Sequence, residues 1–236
     1  MNTTDLINLL TSTSTAIATI LLAVVAVFAQ TIKTWFYKTK LNFYIDSKDP
    51  YVIEMVEIEM HSSEPKKSIS INLKIINNGN INATSTQLYI EKIFRIRQEN
   101  QTYRLEKEFI PINFLWNNDS ELKSLTPLMS HYIEIARIQR QVEYSIDQIT
   151  KKGTINSRDE LFLSVTDPYR SGELFYLGKG TFILPIKAYS ENMKIEKEIY
   201  LEIFWNGHTI DQKSDKNFFI KIKRKDELSK DVISAL

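Results

Sequence analysis

From Leu6 to Ile32 no side chain carries a charge, and residues 16–29 read AIATILLAVVAVFA. So long an apolar run needs either a protein core or a bilayer around it. Extended through residues 11–15 and on to Ile32, it reaches the ~20 residues that a helix needs to cross a membrane. The Thr and Ser hydroxyls of its first half can bond back to helix carbonyls and so tolerate lipid. Trp35, Phe36 and Tyr37 follow at once, interleaved with Lys33, Lys38 and Lys40. Amphipathic rings beside cations suit the headgroup layer, so these six are the candidate membrane-interface residues and the lipid bilayer is an expected partner. Residues 1–40 therefore read as an N-terminal transmembrane anchor with its flank, and 41–236 as one domain.

The flanks give the span a direction. Before it stands only Asp5, and after it come three lysines. The positive-inside rule then places the N-terminus outside a cell membrane and the C-terminal domain in the cytoplasm, as a single-pass protein. A cleaved secretory signal ending at Ala29 is the competing reading, with sequons at Asn82, Asn100 and Asn118; it would make the domain a secreted or anchored extracytoplasmic binding module. The leader lacks the Lys or Arg that a signal peptide carries. Thr11, Thr15, Thr19 and Ala23 form one i+4 row, and Ser14, Ala18 and Ala26 lie on another. Small residues at this spacing permit close packing, so a homo-oligomer through the transmembrane helix is open to the chain.

Beyond the span, charge is nearly balanced: 30 cationic and 28 acidic side chains follow Ile32. Binding to a phosphate backbone relies on a basic excess or stripe, so nucleic acid is not expected as a partner. With no cysteine, disulfides, thiolate nucleophiles and cysteine zinc sites are excluded. Only six glycines occur, which argues against Gly-rich phosphate loops.

Period-two alternation dominates the domain. Ile69, Ile71, Leu73 and Ile75 share one face, as do Phe182, Leu184, Ile186 and Ala188, then Ile199, Leu201, Ile203 and Trp205, and finally Phe218, Ile220 and Ile222. Sheets with one buried face produce this pattern. Further strands are expected at 41–45, 52–60, 87–94, 103–109, 132–138 and 161–165. Turn residues at 77–80, 167–172 and 206–207 separate them. The fold class expected is mainly β, an antiparallel two-sheet sandwich. Ile138, Val142, Ile146 and Ile149 fall at helical spacing ahead of Lys151-Lys152-Gly153, which suggests a short helix near 138–152; Val142, Tyr144 and Ile146 equally suit a strand.

The run LKIINNGNINATSTQLYI at 73–90 resembles one hairpin of the immunoglobulin-like sandwiches called CARDB-type cell-adhesion modules: an apolar strand ends at Asn-x-Gly, a small residue follows, and the next strand begins. Asn77 or Asn78, Gly79 and Ala83 carry the likeness. The later run KAYSENMKIEKEIYLEIFWNG resembles the closing hairpin of prokaryotic proteins built as one membrane span plus a small β-domain. The resemblance implies an immunoglobulin-like sandwich used for interaction or sensing, and it transfers no site residues.

Catalytic patterns do not assemble. His61, His131 and His208 are not spaced as metal ligands, so no metal is expected. Ser63-x-x-Lys66 and Ser120-x-x-Lys123 lack the elements that accompany such a nucleophile motif. Glu57/Glu59 and Glu106/Glu108 read as solvated strand faces. Lys221, Lys223, Arg224 and Lys225 form the one tight basic cluster, either a solvated strand end or a contact to anionic headgroups. The expectation is a non-enzymatic, membrane-tethered module without cofactor that meets a protein partner, or alternatively a membrane effector of a prokaryotic defence system whose clustered helices perturb the bilayer.

Overall fold

The computed structural model describes residues 2–57, 66–97, 102–116, 123–146, 153–165, 175–193, 196–207 and 217–236. Helix α1 covers Thr3–Phe36, and its segment Leu10–Ala29 is long and apolar enough to cross a membrane, with none of it buried against the rest of the chain. One antiparallel sheet holds β1 (Leu41–Tyr44), β2 (Val52–Glu57), β3 (Lys66–Asn77), β7 (Ser130–Ile146), β8 (Gly153–Leu163) and β9 (Phe175–Tyr176), in the order β1-β3-β7-β8-β9 with β2 also on β3. The second holds β4 (Ala83–Ile96), β5 (Tyr103–Asn113), β6 (Lys123–Leu125), β10 (Gly180–Tyr189), β11 (Lys197–Trp205) and β12 (Phe218–Lys223), in the order β12-β11-β10-β4-β5 with β6 also on β4. The chain is thus mainly β, a two-sheet sandwich behind an apolar helix.

The alternating residues face each other between the sheets. Ile71, Leu73 and Ile75 of β3, Leu88 and Ile90 of β4, Leu184 and Ile186 of β10, and Leu201 and Ile203 of β11 are fully buried in one cluster. Two irregularities adjust this pattern. Pro185 lies in β10, a central strand, where a missing N–H would normally break a ladder. It sits at a shift in the β10–β4 register between Ile183 and Ile186, so the lost donor falls where pairing is already interrupted. On β7, Ile135 is an extra residue opposite the Ile71/Asn72 step of β3. Glu134 and Arg137, which strict alternation would separate, thereby share a face and pair at 3.1 Å.

One edge strand is closed by a side chain. The Ser47 hydroxyl accepts from the Ile220 N–H at 3.0 Å and donates to the Ile220 carbonyl at 3.3 Å, occupying both groups of this residue of β12. On the opposite edge, Pro111 lies within β5, and a proline on an edge strand blunts further strand addition.

Two expectations need correction, and one element goes beyond them. The helix read near 138–152 is strand as far as Ile146: Val142 pairs with Ser157, Tyr144 with Ile155 and Ile146 with Gly153. Residues spaced by four have the same parity in a strand, so Ile138, Val142 and Ile146 satisfied both periods at once. Gly153 opens β8 instead of capping a helix; Ile149, Lys151 and Lys152 lie outside the described residues. Second, the Asn77–Asn80 turn joins two sheets, not two paired strands, whereas the 180–205 run does form a hairpin, with Gly180 opposite Trp205 and Ala188 opposite Lys197. A short C-terminal helix α2 (Lys230–Ala235) was not foreseen. Ser229 caps it by accepting from the Val232 N–H, and Leu228 and Val232 pack on Phe94, Ile183 and Tyr200 of the second sheet's outer face.

Candidate functional site at the anchor end of the sandwich

Between the end of α1 at Phe36 and the start of β1 at Leu41 lie four residues, and they do not form a free linker. The Lys38 N–H donates to Asn80 Oδ1 at 2.8 Å, and the Lys38 carbonyl accepts from the Asn80 N–H at 3.0 Å. The Lys40 N–H donates to Asn77 Oδ1 at 3.2 Å, and its carbonyl accepts from the Asn78 N–H at 2.7 Å. Residues 37–40 are thus strapped onto the β3–β4 connection. Gly79 makes the approach feasible: a Cβ there would lie 2.0 Å from the Lys38 oxygen and 2.8 Å from the Thr39 Cα. Its role is room, not a left-handed backbone.

Asn77 is the hub of this end. It is fully buried, and both functions of its amide are saturated. Oδ1 also accepts the Gly79 N–H at 2.9 Å, while Nδ2 donates to the carbonyls of Ile81 at 2.6 Å and Leu125 at 3.0 Å. Its main-chain carbonyl accepts from the Leu128 N–H at 2.9 Å, and it bridges Pro127. A second asparagine works likewise. Asn192 Oδ1 accepts from the Thr84 N–H at 3.2 Å, Nδ2 donates to the Asn82 carbonyl at 2.6 Å, and the Asn192 carbonyl accepts from the Thr39 hydroxyl at 3.3 Å. The exit from α1 and the β3–β4, β6–β7 and β10–β11 connections are knit into one cap.

Of the six predicted interface residues, Lys33, Trp35 and Phe36 belong to the last turns of α1, and their side chains lie outside the description. Tyr37, Lys38 and Lys40 belong to the strap: their side chains are exposed while the Lys38 and Lys40 backbones are engaged. Sequence reasoning marked 77–80 as a turn but missed its partner, and it missed Asn192 and the β6–β7 loop entirely. In α1 the hydroxyls of Thr11, Thr15 and Thr19 donate to the carbonyls of Ile7, Thr11 and Thr15 at 2.5, 2.8 and 2.8 Å. With these donors occupied inside the helix, the row has no free hydroxyl proton among Thr11, Thr15 and Thr19 to give a second helix.

Two charged clusters lie elsewhere. On the first sheet's outer face, Glu134 receives the Arg137 fork at 3.1 Å on both oxygens, the Ser70 hydroxyl at 2.6 Å and the Ser164 hydroxyl at 2.5 Å. On the second, Glu202 is 5% exposed and is met by the Tyr103 hydroxyl at 2.9 Å, Lys221 at 3.0 Å and Lys223 at 3.3 Å. Burial pushes the Glu202 carboxyl up, but the bonds from Lys221 and Tyr103 and the Lys223 charge outweigh it, and the net shift is downward. A general acid near neutrality needs the opposite shift. The basic cluster at 221–225 is also largely neutralised, since Arg224 pairs with Asp226 and Glu227 at 3.4 and 3.2 Å. His131 is moved down by burial and by Lys123, and its Nε2 has no partner. His61, His208, Ser63, Ser120 and Glu59 lie outside the described residues. Lys123 reaches over the Trp116 ring at 5.4 Å, and Glu106 engages Arg95 and Arg104.

The chain matches no family model, no curated protein and no solved structure.

Proposed function

We propose that this chain is a membrane-tethered, non-enzymatic β-sandwich protein that binds a protein partner or senses a ligand at the inner face of a prokaryotic cell membrane. The observation that carries the reading is the pairing of an unburied apolar helix with a strap that leaves the domain no loose tether. Such a helix needs an apolar surrounding, and lipid supplies it. The lysines after the span orient it N-terminus out, with the domain in the cytoplasm. We read the sandwich as immunoglobulin-like from the sequence likeness of 73–90 to CARDB-type modules, although here the run crosses between the sheets and is no hairpin. A rigid mount suits a module that presents loops to a partner at a fixed height above the bilayer.

Alkaline carbonate extraction and protease access test this. The full chain is expected to stay in the membrane pellet, and its domain to be digested in inverted vesicles but protected in right-side-out ones. Release by carbonate would remove the anchor, and the reverse protection pattern would reverse the topology. Turnover of a common ester, phosphate or peptide substrate by the detergent-solubilised full chain would overturn the non-enzymatic reading. Co-purification from solubilised membranes is the direct route to the partner.

A further inference from the structure

Among the described residues, the β6–β7 connection carries a feature that packing does not explain. Leu128 takes φ +64°, a left-handed conformation that costs an ordinary residue about 1 kcal/mol and favours Gly or Asn. Its side chain is nonetheless large, apolar and 78% exposed, and the adjacent Met129 is 54% exposed. A strained turn that displays two consecutive apolar side chains to water gains nothing from the core. On β2, by contrast, the exposed Val56 stands as a single apolar side chain between Met55 and Glu57, which is ordinary.

The position of this turn supplies the reason. Its backbone is held by Asn77, whose side chain holds Lys40, so the turn is one residue removed from the exit of α1. Eight residue steps lead from Ile32 to Lys40; helical to Phe36 and extended beyond, they reach at most about 20 Å. The β6–β7 turn cannot leave the neighbourhood of the helix end. Charge agrees as well: residues 123–133 contain Lys123 and no acidic residue, and the Lys38 and Lys40 side chains of the strap are exposed.

We infer that Leu128 and Met129 form a second lipid contact, a short apolar tip that enters the interfacial layer beside α1, flanked by Lys38, Lys40 and Lys123 facing anionic headgroups. The inference rests on the anchored reading above and deepens it: the domain touches the bilayer at two points, which fixes its tilt as well as its height.

The absence of native cysteine makes the test clean. Full chains carrying Leu128→Cys, Val24→Cys or Val56→Cys are labelled with an environment-sensitive fluorophore and reconstituted in vesicles of phosphatidylethanolamine and phosphatidylglycerol. Val56 is opposite Lys67, ten residues along β3 from Asn77, or about 33 Å away. The label on Val24→Cys and on Leu128→Cys should be blue-shifted and quenched several-fold by spin-labelled lipid chains, and the label on Val56→Cys should not. A lipid signal at position 24 with an aqueous one at 128 would overturn the second contact and leave the anchor standing. An aqueous signal at 24 would overturn both, and a lipid signal at 56 would replace a tip contact by a domain lying flat. Met129→Cys repeats the measurement from the neighbouring side chain, so a folding defect of one variant does not decide the outcome.

Discussion

At the scale of single residues, Asn77 shows how much one amide can organise. Its four side-chain hydrogen bonds join a strand end, two loops and the exit of the helix. Replacing it by Ala leaves two buried carbonyls and two N–H groups short of a partner, and Asn77→Ala should cost about 2–4 kcal/mol, measured as a lower denaturation midpoint of the full chain in detergent. Gly79→Ala should act differently, because the new methyl group forces residues 38–39 away; accelerated proteolysis at 37–40 with only a modest fall in the midpoint is the expected signature. Glu202 gives a pH dependence. Its carboxyl titrates below its ordinary 4.5 in the folded chain, so its contribution is present above that value and is lost as pH falls through the folded pKa. His131, lowered from 6.5, has the same sign: the folded state resists its protonation, and stability falls as pH drops below that value. Glu202→Gln should flatten the acid limb of midpoint against pH, and His131→Gln should flatten the limb just below neutrality.

At the scale of elements, the strands were legible because a sheet with one buried face imposes period two on the sequence. The pattern failed where parity carries no information, at Ile138, Val142 and Ile146, and where Ile135 bulges so that Glu134 and Arg137 meet. Helix α2 escaped for another reason: it has six residues, too few for a period, and its one signal was Ser229 two residues ahead of Asp231. It is held by the burial of Val232 and Leu228 and by the Lys92 ammonium, which donates to the Ala235 carbonyl at 2.6 Å, a favourable place for a cation. No residue of α2 belongs to the inter-sheet core. Val232→Asp should therefore release α2, seen as rapid trimming after Arg224 and increased binding of an apolar dye to the uncovered Phe94 and Ile183, while the strand signal in circular dichroism persists.

At the scale of the whole molecule, the candidate site was not legible, because its parts lie far apart along the chain. Lys40 and Asn77, or Thr39 and Asn192, meet only once both sheets are built. The sequence marked the helix and its flanking lysines, since hydrophobicity and charge are local, but nothing local tells that the flank docks against the domain. The closed edge at β12 belongs to this scale too. If the proposed anchor holds the chain in a bilayer, its copies meet in two dimensions, with their edge strands at one height. Those are the conditions under which open sheets zip together. The Ser47 hydroxyl already holds both hydrogen-bonding groups of Ile220, midway along that strand, so an arriving copy would have to displace it. One serine thereby takes the middle of this edge out of reach of strand addition.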